Sequence, residues 1–225
     1  MPAMKRPRYQ YAQMRGFTLT ELAIVLVIVS LLIGGMLVPL SAQRDIHNTS
    51  ETKKQLSEIK DALLGFAIIN GRLPCQSSTT DPEAASYGAE DSPCPNTEGY
   101  LPWKTLGITE VDAWGSRRSA ASDPFSGYWR YRVVNTYTTT FTLAAPPSSA
   151  LVVQDASGNA LTSSSPDGPV ALVYSTGPDL IANGQNATID ATYQAGERSS
   201  NFDDILVWIG RPILFNRLIA ARKLP

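Results

Sequence analysis

The chain is 225 residues long, room for one ordinary domain and an appendage at about 150 residues per domain. Its net charge of -1 excludes the global basic field that non-specific nucleic-acid binding needs. Charged residues make up 17% of the chain, against about 25% in typical soluble domains. None falls between Leu22 and Leu40, and that gap points to lipid.

Lys5, Arg6, Arg8 and Arg15 precede the apolar run. Positive charge placed there holds the N-terminus in the cytoplasm and sends the remainder outward. A secretory signal peptide has an apolar core of only about 7–15 residues and ends in a small-x-small site. Here the run is about 19 residues long and closes on Leu40-Ser41-Ala42, a weak match. About 20 apolar residues span a bilayer, so an uncleaved anchor also fits the length. Glu21 decides between these readings. A carboxylate in a membrane helix costs about 2.5–3.5 kcal/mol at the centre and less near the interface, so it asks for a cationic partner. Arg15 is the candidate in the uncut chain. A cut between Gly16 and Phe17 leaves an α-amino group one helical turn from Glu21, available to that subunit or to a neighbour. Cutting therefore creates the counter-ion.

The string Arg15-Gly16-Phe17-Thr18-Leu19-Thr20-Glu21, followed by an apolar helix, resembles the prepilin signal of type IV pilins and type II secretion pseudopilins. The resemblance implies that a prepilin peptidase cuts between Gly16 and Phe17 and methylates the new N-terminal Phe17. It makes Glu21 the carboxylate that docks each subunit into a filament. It also implies an inner-membrane, single-pass precursor with a cytoplasmic N-terminus and a periplasmic head, served by inner-membrane assembly machinery and other subunits. The expected role is a structural filament subunit rather than an enzyme.

Beyond Leu40, Leu56, Ile59, Leu63, Phe66 and Ile69 recur at three- and four-residue spacing between polar positions, the pattern of an amphipathic helix. Pro39, with Gly34-Gly35 a turn earlier, predicts a kink or local unwinding, and Asn70-Gly71 predicts the stop. The helix from Phe17 to Asn70 would run about 80 Å at 1.5 Å per residue. Cys75 and Cys94 bracket a stretch rich in Pro, Ser and acidic residues, a surface loop. If that region is exported, a Cys75–Cys94 bridge is expected, worth about 3 kcal/mol for a loop of about 20 residues. Strands are expected over Tyr128–Asn135, Thr139–Ala144, Leu151–Gln154, Val170–Ser175 and Ile205–Ile209, forming an antiparallel sheet. A terminal helix is expected over Pro212–Arg222. The domain plan is a cleaved leader (1–16), a transmembrane and assembly helix (17–40), its amphipathic continuation (41–70) and a β-sheet head (71–225). The fold class is α+β with a lollipop architecture.

Asp112-Ala-Trp114-Gly115, then Tyr128-Trp129-Arg130-Tyr131, is similar to a head motif of major pseudopilins. Val173-Tyr174-Ser175-Thr176-Gly177-Pro178-Asp179, then Asp203-Asp204-Ile205, resembles their calcium-binding segment. The resemblance implies Ca2+ at Asp179, Asp203 and Asp204, with Asn183 and Asp190 nearby. Aspartates that form turns and open strands give the same string without a metal. An insertion between Gly115 and Tyr128, a longer loop before Asp203 and the terminal helix depart from that pattern.

Two cysteines and the single His47 exclude a zinc cage within one chain. With the thiols bridged and His47 beside the apolar run, neither a Ser-His-Asp nor a Cys-His arrangement assembles in the head. The alternative function is a minor pilin whose head binds a ligand such as DNA or a surface partner. Arg117, Arg118, Arg130 and Arg132 interleave with Trp114, Tyr128, Trp129 and Tyr131, the mix that grips single strands. Alternation along one strand explains the same residues, and nucleic acid is the weaker reading.

Overall fold

The computed structural model describes residues 16, 18–142, 147–163 and 165–223, the side chains of 35–40 excepted. The chain forms two compact units, Met1–Arg44 and Asp45–Pro225. Helix α1 spans Leu19–Asn70. The helix is continuous through Pro39, where a kink or local unwinding was expected. It stops where Gly71 turns to φ +69°, the left-handed conformation that glycine adopts without a Cβ clash.

In the first unit, the large apolar side chains between Leu22 and Ile33 point in every direction around α1, each 42–71% exposed. Among the described residues no helix is long and apolar enough to cross a membrane. The expected span over 17–40 includes residue 17 and the side chains of 35–40, which lie outside the described set.

The second unit is built in three layers. Strands β1 (Gly99–Tyr100), β2 (Arg130–Val133), β4 (Pro169–Ser175) and β6 (Ile205–Gly210) make an antiparallel sheet in the order β1-β2-β4-β6. Strands β3 (Val152–Gln154) and β5 (Thr192–Gln194) make a separate parallel pair. A short helix α2 (Trp103–Leu106) follows β1, and α3 (Arg211–Ala220) ends the fold. Period-two alternation sorts the side chains. Tyr131, Val133, Ala171, Val173 and Ile209 face Leu56, Ile59, Leu63, Leu64 and Ala67 of α1. Leu172 and Tyr174 face the opposite way, toward Leu151, Val153 and Tyr193 of the β3–β5 layer. Strand β4 is thus covered on both sides, which is why its sequence is a continuous apolar run rather than an alternating one.

Several expectations need correction. Phe66 is only partly buried and Ile69 is 75% exposed, while Leu64 and Ala67 take the core positions. Six residues past Leu63, Ile69 has rotated about 120° off the buried stripe, at about 100° per residue. Thr139–Thr142 form no strand, and 143–146 lie outside the described residues. Phe141 instead packs edge-on against Tyr137 and Phe215, with ring centroids 5.1 and 5.5 Å away. The strand expected to reach Asn135 ends at Val133, because Asn135–Tyr137 coil into a 3₁₀ turn whose Asn135 carbonyl accepts from Thr138 Oγ1 at 2.7 Å. The β3–β5 pair is parallel, not antiparallel.

Leu63 is 1% exposed where α1 meets the sheet. Leu63→Ala is expected to lower unfolding free energy by about 2–5 kcal/mol, read as a lower denaturant midpoint at unchanged slope. Ile69→Ala is expected to shift it by under about 0.5 kcal/mol.

Candidate assembly site and head motifs

A helix leaves its first four backbone N–H groups without partners. At the start of α1, Thr18 sits at the N-cap and Glu21 three residues on. Thr18 Oγ1 accepts from the Glu21 amide at 3.2 Å, and Glu21 Oε2 accepts from the Thr18 amide and hydroxyl, both at 2.9 Å. This is a reciprocal capping box. One carboxylate oxygen, Oε2, is thereby held against the chain's own backbone. Ser30, the other polar side chain in the run, donates to Leu26 O at 2.7 Å. Gly16 is exposed, and a Cβ added there would meet no atom within 4 Å. Among the described residues, packing does not demand glycine at this position. Phe17 and Arg15 lie outside the described residues.

In the second unit the two motif strings converge on Ser175. Asp112 is buried; its Oδ1 accepts from the amides of Trp114 (3.0 Å) and Gly115 (2.8 Å), and its Oδ2 from Ser175 Oγ (2.6 Å). Burial raises its pKa, and the three hydrogen bonds partly offset that rise. Ser175 Oγ in turn accepts from Gly177 N at 3.0 Å. Gly177 has φ +67°, and a Cβ there would lie 2.6 Å from Asp203 O. The residues inserted after Gly115 close on themselves, bringing Gly127 O within 2.8 Å of Asp112 N. A Cβ on Gly127 would sit 2.1 Å from Gly115 Cα, so this contact needs glycine on both sides.

At the acidic turn, both oxygens of Asp179 are taken, by Ile181 N (2.8 Å) and Asn183 Nδ2 (3.1 Å). Asp204 Oδ2 accepts from Asn183 N (3.0 Å) and Asn186 Nδ2 (2.9 Å). Asp203 Oδ1 and Asp204 Oδ1 are buried without a partner. Burial, with repulsion from Asp203 and Asp179, pushes Asp204 up to about 7. Among the described residues, no three His, Cys, Asp or Glu side chains stand together as a metal-ligand group. Asp190 accepts from Gln185 Nε2 and Thr192 N, away from that pair.

Residues 12–37 match the prokaryotic N-terminal methylation motif, the signature of type IV pilins and pseudopilins. No curated protein and no solved structure matches the chain. The motif implies processing by a prepilin peptidase, assembly with other pilin subunits, and a membrane-anchored and then filamentous location. It spans the capping box and the exposed apolar part of α1. A disulfide joins Cys75 and Cys94, with Cα atoms 5.3 Å apart. Glu90 reinforces this loop by a two-pronged pair with Arg72, each contact 2.8 Å, and by accepting from Cys75 N at 3.1 Å.

Two of the four arginines expected to offer a cationic surface are engaged within the head, and Arg132 is partly buried. Arg130 pairs with the buried Glu98, which also accepts from Tyr174 (3.0 Å) and Tyr193 (2.9 Å). Arg118 donates to the carbonyls of Thr80 and Ala121 and lies over the Phe125 ring. Tyr128, Trp129 and Tyr131 are buried, so their faces are closed to stacking bases. Arg117 and His47 are exposed. Sequence reasoning missed Glu98, and also Glu110, which accepts from both Tyr87 and Tyr128 at 2.6 Å. An isolated glutamate in a loop carries no spacing signal. The capping role of Thr18 was also missed, although Thr-x-x-Glu is the capping-box spacing that could have pointed to it.

An acid whose folded pKa exceeds its unfolded value of 3.8 costs stability as pH rises from there to about 7, and the loss is complete above that. In chelator, Asp204→Asn is therefore expected to raise the melting midpoint at pH 8 more than at pH 5. Equal gains at both values would show that Asp204 is not the group responsible.

Proposed function

We propose that the chain is a structural subunit of a type IV pilus or type II secretion pseudopilus, cut between Gly16 and Phe17 and assembled through α1. The observation that carries this reading is a helix apolar on all sides from Leu22 to Ile33, opened by a capped carboxylate at Glu21 within the methylation motif. Such a surface has no stable place in water and must be covered by lipid or by other helices. The finer proposal is a lollipop-shaped subunit whose residues 17–40 cross the inner membrane, with the leader inside and the head in the periplasm. On extraction, neighbouring helices replace lipid around the apolar surface. Glu21 keeps Oε2 on its own cap, and Oε1 is the oxygen left for a methylated Phe17 amine. The role is structural rather than enzymatic.

Intact mass of the membrane-extracted protein is expected to correspond to a chain beginning at methylated Phe17; a species retaining Met1 at full length contradicts the cut. Glu21→Gln is expected to leave cleavage intact and to reduce sheared filaments by at least about tenfold, the loss of one buried charge pair. Filaments at the normal level in that variant defeat the proposal.

Calcium at the acidic turn belongs to the same proposal. Asp203 and Asp204 fit, since each holds a buried oxygen without a partner; Asp179, already engaged on both oxygens, would have to give up a turn contact. The ion would supply positive charge between two carboxylates, with further oxygens from carbonyls or water. If calcium binds, its addition to chelated protein raises the melting midpoint at pH 8, and Asp203→Asn reduces that gain. An unchanged midpoint leaves the turn metal-free.

A further inference from the structure

The loop that joins β5 to β6, residues 195–204, contributes to the lining of an open cleft of about 430 Å³. Thr49 and Lys53 of α1 and the Trp114 side of the Asp112 turn line it as well. The loop is fixed at its two ends. Ala195 N donates to Gln154 O at 2.9 Å, and the Phe202 side chain is buried. Residues 196–201 between them are exposed. Among the described residues, their one side-chain hydrogen bond to another element is made by Arg198, whose Nη1 donates to Asp45 Oδ2 on α1 at 3.0 Å, across 153 residues of sequence. Asp203 and Asp204 line the same cleft. Asp204 is 3% exposed and keeps Oδ1 without a partner, and Asp203 Oδ1 is unpartnered too. Arg198 thus shares a cleft with two carboxylates in need of a cation, yet bonds to neither. Burial and repulsion from Asp179 raise the Asp203 carboxyl above its usual range, and the charge of Arg198 works against that rise.

We propose that Arg198 is the gate of this cleft: pinned to Asp45, it stands aside and leaves Asp203 and Asp204 open to a metal cation; released, it swings onto them and shuts the cation out. The inference rests on the calcium reading above and adds to it a control seated on α1. A guanidinium fork matches carboxylate oxygens as well as a bound ion does, so the two cations are alternatives for the same acids. Buried acceptors without partners are costly, which favours collapse of any free guanidinium within reach onto them. The tether to Asp45 opposes that collapse. Linkage makes the control reciprocal: whatever engages Asp45 from outside weakens cation binding, and a bound cation holds Arg198 on Asp45.

The test measures calcium affinity by titration calorimetry on the full membrane-extracted chain, first freed of metal with chelator. Arg198→Gln is expected to lower the Kd by at least about threefold, since a repelling charge and a competitor leave together. Asp45→Asn is expected to raise it by at least about threefold, because the arginine is released. With both changes the Kd should match Arg198→Gln alone within about twofold, since Asp45 acts through Arg198. Lys53→Gln removes another positive charge from the lining and is expected to leave the Asp45→Asn loss in place. The side chains of Arg198 and Asp45 are 50 and 44% exposed, so the chelated melting midpoint of Arg198→Gln should stay near the parent's. Unimproved affinity in Arg198→Gln overturns the gate, as does an Asp45→Asn loss that persists without the arginine. Asp203→Asn is expected to weaken binding in every background; binding that ignores it places the ion elsewhere and overturns the gate as well. If neither the parent nor Arg198→Gln binds calcium, the calcium reading fails and the gate with it. Binding that appears only in Arg198→Gln supports a gate that is closed in the parent.

Discussion

A helix without a polar side has to be surrounded, and an acid at its entrance has to be neutralised. From Leu22 to Ile33 α1 offers almost only hydrocarbon to its surroundings, Ser30 turning its hydroxyl back onto Leu26 O. Water is the worst of the available environments, lipid is acceptable, and the packed side chains of identical helices are better still if the carboxylate at the mouth is matched. The capping box answers half of that need within the chain by tying Glu21 Oε2 to Thr18. The other half requires a positive group from outside the helix.

The second unit obeys a different constraint. Its central strand β4 is covered by α1 on one side and by β3 and β5 on the other, so no residue from Pro169 to Ser175 reaches water. Several of the buried polar groups gather where strands end and turn. At one end Ser175 gathers Asp112 and Gly177 into a single hydrogen-bonded junction, and on the second face Glu98 gathers Arg130, Tyr174 and Tyr193. Buried polar groups of this kind are costly when unmatched and rigid when satisfied. Asp203 and Asp204 are among the exceptions, each retaining one buried oxygen without a partner.

Glycine marks the places where that junction closes. Gly115 and Gly127 touch backbone to backbone, and Gly177 lies under Asp203. The contacts explain how a long insertion after Gly115 is accommodated: the inserted loop returns to its starting point before β2 begins.

Glu21 at the head of an apolar helix was legible without coordinates, because the acid and the apolar run are neighbours along the chain; its bonds to Thr18 came only with the structure. The same holds for the stop at Gly71 and for the alternation of β2, where Tyr131 and Val133 turn inward. The α+β class followed from those periods. What periodicity could not assign were the groups whose meaning depends on contacts far along the chain. Glu98 is a loop residue until Arg130, Tyr174 and Tyr193 close around it; Ile69 matched the helical spacing yet had rotated past the edge of the sheet; β3 was expected as a strand, but its three-residue partner β5 was not, nor was their parallel pairing, which the core imposes. Sequence determines what each segment can bury, whereas tertiary structure decides which partner it meets, because that choice is a competition among all the surfaces of the folded chain.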